Sequence, residues 1–199
     1  MGENAETVSE WMTAIWNNFD NGSASMEHYA DVLAKLGAAT ASSADEIAGG
    51  LEKFAAVAET VGLSYEYAAA ALATITAETR QSEDVVGTAL KTIFARIENL
   101  KLGETLEDGV DLGQYSEALQ KVGVDILDAN GNLKDMNTIL DNIGLTWQNL
   151  EQQEKVALAQ SVAGIRQYNQ FMALMENWDV MERNVELAEE ATGALKEQY

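Results

Sequence analysis

Not one proline interrupts the 199 residues of this chain, and that absence constrains the fold more than any other feature. Proline removes a backbone donor and clashes with the preceding helical turn, so a chain without it is punctuated only by glycine and by polar turn residues. Alanine, the best helix former, fills the gaps, as in the run Ala68 to Ala71. The chain is therefore expected to be mainly α. Cysteine is also absent, which removes disulfides and thiolate chemistry and leaves stability to packing.

Acidic residues number 33 against 12 basic ones, for a net charge of -21. Such a chain repels phosphate backbones, whose binding depends on lysine and arginine displacing counterions, so direct nucleic-acid binding is not expected. The acids read as solvated helix faces. No stretch approaches the roughly 18 consecutive apolar residues of a membrane span. The nearest, from Tyr67 to Ala77, is short and flanked by Glu66 and Glu78, and reads as a packed helix. The first residues lack the basic and apolar blocks of a secretory signal.

Apolar spacing divides the chain into four segments. Residues 1–41 form a helical hairpin. Its first helix carries Val8, Trp11, Met12, Ile15, Trp16 and Phe19 on one face and ends at Asn21-Gly22-Ser23; its second carries Met26, Tyr29, Val32, Leu33 and Leu36 and stops near Gly37. Residues 43–102 form a three-helix bundle, opened by a capping box of Ser43 and Glu46. Its helices bury Ile47, Leu51, Phe54, Ala58 and Val61, then the alanine run, then Val86, Leu90, Ile93, Phe94 and Ile97. Residues 103–135 are a glycine- and acid-rich connector, with a short helix from about 114 to 121.

Residues 136–199 are a second helical group. Met136, Ile139, Leu140 and Ile143 face inward and Gly144 ends the first helix. Thr146 caps the next, which runs to about Gly164; Ile165, Tyr168, Met172 and Met175 continue one face. A protruding last helix carries Trp178, Met181, Val185, Ala188 and Leu195.

Within the connector, the run ILDANGNLKDM resembles a calcium loop but lacks its spacing. Counted from Asp128, the turn glycine should be sixth, where Leu133 stands, and a bidentate glutamate twelfth, where Ile139 stands. Asn130-Gly131 is instead the favoured pair for a two-residue turn with positive φ at both centres, which predicts a small β-hairpin near 122–134. On that reading Gly131→Val substantially destabilises the fold.

No catalytic constellation is assigned. His28, with Asp31 one turn away, is the only histidine and reads as a solvated surface residue. Glu104, Glu107, Asp108 and Asp111 could supply the carboxylate pair of a glycosidase, but their loop is polar and glycine-rich, without the aromatic cleft such an enzyme needs. The run Gly87 to Thr92 lacks the spacing of a phosphate loop. Gly87 and Ala89 read as close-contact positions between helices, and Lys91 and Arg96 as partners of neighbouring acids. An enzyme, a metal site and a cofactor are accordingly not expected. The tryptophans Trp11, Trp16, Trp147 and Trp178 read as core by default, with Trp11, Trp16 and Phe19 as interface candidates because the hairpin's aromatic stripe is wide for two helices.

Four blocks resemble the core module of phage tail tape-measure proteins, in the same order: SADEIAGGLEKFAAVAETVGLSYEYAAAALATIT from Ser43, TRQSEDVVGTALKTIFARI from Thr79, VGVDILDANGNLKDM from Val122, and ALAQSVAGIRQYNQFMALMENW from Ala157. The resemblance implies structural work in the tail lumen. Such proteins set tail length, leave ahead of the genome, self-associate, and contact tail tube, tail-tip and tail assembly chaperone proteins, in the virion tail and earlier in the host cytoplasm. Members of that family are usually far longer, so this chain looks like one module of it. The alternative is a free-standing acidic helical binding module, a truncated prophage product engaging a tail chaperone or host protein.

Overall fold

A computed structural model describes residues 5–20, 22 and 24–191. Among them are α1 (Ala5–Phe19), α2 (Met26–Ala39), α3 (Ala44–Thr60), α4 (Tyr65–Thr79), α5 (Glu83–Lys101), α6 (Leu112–Gln120), α7 (Met136–Trp147), α8 (Gln152–Glu176) and α9 (Trp178–Glu189). The chain is mainly helical, as its composition requires. Asn21 and Ser23 of the first turn, and Leu195, lie outside the described residues.

The centre of the molecule is α4. Ala68 to Ala73 and Ile75 are at most 1% exposed, so this helix is apolar all round and must be covered on every side. It packs against α2, α3, α5, α8 and α9. Its small side chains let those neighbours come close, and one core cluster runs unbroken from Ile15 to Ala191. One pair of polar groups inside that core is matched to each other. The Asn184 amide on α9 donates to Thr74 Oγ1 at 2.9 Å, and that hydroxyl donates to Ala70 O at 2.8 Å, so neither is left with the cost of an unmade bond.

The helix ends follow from local sequence. Ser43 Oγ accepts from the Glu46 N–H and the Glu46 carboxylate accepts from the Ser43 N–H, completing the capping box. At the other end of α3, Leu63 N–H donates to Ala58 O and Gly62 N–H to Glu59 O. That is a Schellman closure, with Gly62 at φ +75°. Lys101 Nζ donates to Thr60 O at the same end, placing a cation on carbonyls that carry partial negative charge.

Several boundaries differ from expectation. The second helix does not stop at Gly37; it runs to Ala39, and Gly37 lies inside it because a Cβ there would meet the Ala44 backbone nitrogen at 2.7 Å. Met26 is exposed rather than inward. Gly144 does not end α7, and Thr146 does not cap the following helix: both lie within α7, where the Thr146 hydroxyl donates to Asn142 O. The start of α8 is closed by the Glu154 carboxylate, which accepts from Glu151 N–H at 2.8 Å. Ile165 is 77% exposed, because α8 breaks at Gly164 (φ 75°, ψ 163°) and re-aims the residues that follow. The last described helix, α9, does not protrude; it lies against α4 and α2.

The expected β-hairpin is absent from the described residues. A single antiparallel bridge joins Leu127 and Leu133. On the left, Val122 and Gly123 are consumed in closing α6, with Val124 N–H donating to Leu119 O. On the right, Asp135 already caps α7 by accepting from Thr138 N–H. Too few residues remain between these two commitments to build strands.

Candidate functional site

The bridge turn is held by Asp128. Its Oδ1 accepts from the N–H groups of Asn130 at 2.8 Å and Asn132 at 2.9 Å, while Gly131 N–H donates to Asp128 O. Only Gly131 has positive φ, +82°; Asn130 does not. The loop is thus a turn followed by one left-handed glycine, not the two-residue turn expected from Asn-Gly. A Cβ on Gly131 would meet nothing within 4 Å, so Gly131→Val carries the backbone penalty alone. We expect a loss of about 1–2 kcal/mol in urea unfolding, with Gly131→Asn costing less.

The bonds to Asn132 and Asn130 hold the Asp128 carboxyl below the ordinary aspartate range. A depressed folded pKa adds stability that is present above the unfolded value of about 3.9 and lost as pH falls through the folded one. Asp141 is the opposite case: burial raises its pKa, partly offset by the Tyr67 hydroxyl that donates to it at 2.9 Å. A carboxyl-detected NMR titration should find Asp128 titrating below ordinary aspartates and Asp141 above them. Coincident titrations would refute both assignments.

The remaining sequence candidates fall into three groups. In the first, Trp11, Trp16 and Phe19 lie along α1. The Trp11 indole edge lies on Gly49 of α3, where an added Cβ would meet it at 3.3 Å. Trp16 packs edge-on against Tyr29, with ring centroids 5.9 Å apart, and Phe19 against Tyr65 at 5.6 Å. Phe19 is buried; the two tryptophans are partly buried. Two tyrosines tie these elements together, Tyr29 Oη donating to Phe19 O and Tyr65 Oη to Tyr29 O.

In the second group are glycines that set helix approach. Gly87 of α5 faces the backbone of α3, where an added Cβ would meet Gly50 O at 2.7 Å and Gly50 Cα at 3.2 Å. Gly50 in turn receives Leu72 of α4. Gly144 faces the Trp178 indole so closely that an added Cβ would fall 2.1–2.4 Å from its atoms.

In the third are the charged residues. His28 Nε2 lies 2.7 Å from Glu66 Oε1, not on Asp31, and Nδ1 lies 3.3 Å from Ala191 O. The histidine thereby links α2 to the start of α4 and the end of α9. The four connector acids are not brought to one point. Asp111 caps α6 by accepting from Gln114 N–H, and Asp108 pairs with Arg96 at 2.9 Å. Lys91 is exposed and has no ion pair among the described residues.

Several clefts indent the surface of the described residues, and two of them lie between helices. One, of about 430 Å³, lies where the ends of α1 and α3 meet the starts of α4 and α7, and its lining includes Asp20, Glu59, Glu66 and Asp135. The other, of about 380 Å³, lies between α5, α6 and α8 and is lined by Arg96, Asp108, Tyr115 and Ser161 among others. Neither was legible in the sequence, the second least of all. Tyr115 sits in a short helix with a weak pattern, and nothing in the spacing of Arg96 and Ser161 shows that they meet.

Among the described residues no helix is long and apolar enough to cross a membrane. The model of a family described as phage-related minor tail protein matches residues 1–164, a span that closes at the break in α8. No solved structure matches the chain.

Proposed function

Because the chain belongs to the phage-related minor tail protein family, whose members have a structural role in the phage tail, we propose that it is a tape-measure module. On this reading it acts through protein contacts in the tail lumen, in tail assembly, length determination and genome delivery, with no catalytic step. The observation that carries the reading is the family match itself, which spans α1 to the break in α8 and so takes in most of the packed core. The net charge of -21 supports it, since a protein that shares a channel with DNA must not retain it. Its partners would be tail tube, tail-tip and tail assembly chaperone proteins and further copies of itself.

A second reading, a free-standing acidic binding module engaging a tail chaperone or host protein, draws on α9. That helix lies back over α4 and α2 and adds its apolar face to the core. Immunoblots of purified tails and of producing-cell lysate, with antibody against this chain, separate the two. The tape-measure reading expects a band in tails at a mass far above 21.6 kDa. A band confined to lysate at the mass of this chain would overturn it in favour of the free module.

A further inference from the structure

The cleft between α5, α6 and α8 contains hydrogen-bond donors that the fold leaves unused. Arg96 Nη2 donates to Asp108 Oδ2 at 2.9 Å and makes a long contact of 3.5 Å to Ser161 O. Its Nε is buried and has no partner. Tyr115, 1% exposed, likewise has a hydroxyl without a partner. Burial raises the Tyr115 pKa while the Arg96 charge lowers it, so the guanidinium and the phenol sense each other.

We propose that this cleft is a binding site for a carboxylate, namely the side-chain carboxyl of an aspartate or glutamate on a second polypeptide. A guanidinium offers Nε–H and Nη–H along one edge, and that fork matches the two oxygens of a carboxylate. Asp108 uses one of the two. It also sits at the mouth of the cleft, where solvent reaches it: its side chain is 47% exposed. Asp108 therefore shows that the site accepts a carboxylate, yet it leaves unmet the two donors that an incoming acid would satisfy, Arg96 Nε–H and Tyr115 O–H. A volume of about 380 Å³ admits a side chain rather than a whole strand. The surrounding charge of -21 repels anions in general. Retention thus depends on several donors converging on one group. This inference stands independently of the tape-measure reading.

The test is an NMR titration of the full chain, observing Arg96 Nε–H. The probes are acetyl-Gly-Glu-Gly-amide, the matching glutamine peptide, sodium acetate, and sodium chloride at equal ionic strength. The glutamate peptide should produce a saturable shift that the glutamine peptide and chloride do not. Asp108→Asn, which removes the resident carboxylate, should tighten it about 10-fold, and Tyr115→Phe should weaken it about 10-fold. Tyr115→Phe should also leave the melting temperature unchanged or higher, because the hydroxyl it removes has no partner. Absence of a saturable shift in Asp108→Asn, or equal shifts with the glutamine peptide, would overturn the proposal. Acetate binding as tightly as the glutamate peptide would overturn its polypeptide source and assign the cleft to free carboxylates.

Discussion

Gly144→Ala should lower the stability of this protein by about 3 kcal/mol, although alanine is ordinarily the better helix residue. In an exposed helix the exchange would gain up to about 1 kcal/mol. Here the new methyl carbon would stand 2.1–2.4 Å from three atoms of the Trp178 indole, and a ring 4% exposed at the head of α9 has nowhere to retreat. Shifting packed side chains to admit an extra carbon costs about 1–3 kcal/mol. Expelling the indole altogether would forfeit 150–250 Å² of burial, or about 4–6 kcal/mol at 25 cal/mol per Å². The net lies between these limits once the propensity gain is subtracted. For a domain of this size that corresponds to a fall in melting temperature of roughly 10 °C. Calorimetry of Gly144→Ala and of the pair Gly144→Ala with Trp178→Leu is the measurement. The double variant should lose less than the sum of its parts, and strict additivity would show that the indole is not what the methyl meets.

Gly87→Leu should be comparably damaging, by about 3 kcal/mol, for a different reason. What an added carbon meets at Gly87 is backbone, Gly50 O at 2.7 Å and Gly50 Cα at 3.2 Å, and backbone cannot rotate away. Admitting the side chain means parting α3 from α5, and with them the Phe54–Phe94 ring pair, whose centroids are 5.8 Å apart. Gly113→Leu is the control. It is also a helical glycine, but an added Cβ would find only the Asp111 carboxylate, at 3.3 Å. Guanidinium unfolding of the two variants should therefore separate them widely. A loss at position 87 no larger than at position 113 would refute a backbone-limited crossing.

Legibility tracked how local the determining chemistry was. The capping box at Ser43 and Glu46 involves residues three apart, and the inward faces of α3, α5 and α7 repeat every three to four residues, so both could be read directly. Glycine is ambiguous in a way that no window resolves. Gly62 closes a helix, Gly164 breaks one, and Gly37, Gly87 and Gly144 lie inside helices because another part of the chain presses on them. Only the partner distinguishes these cases, and Trp178 is 34 positions from Gly144. The turn at Gly131 was recognisable as a turn, but its strands were not available, since α6 and α7 had already claimed the flanking residues. The carboxylate cleft was illegible for the same reason as the tryptophan slot. Arg96, Tyr115 and Ser161 come from three helices, and only tertiary packing sets their distances.

The position of α9 also dictates when α4 can be fully covered. Asn184 reaches Thr74 across 110 positions of sequence, so the flank of α4 that α9 covers waits for its lid while everything between is made. At 5–20 residues per second on the ribosome that wait is roughly 5–20 s. Throughout it a nascent chain would present an alanine-rich, uncharged ridge to whatever is nearby. Any factor that attends the birth of this protein would meet it in that interval, and would find the surface gone once α9 had docked.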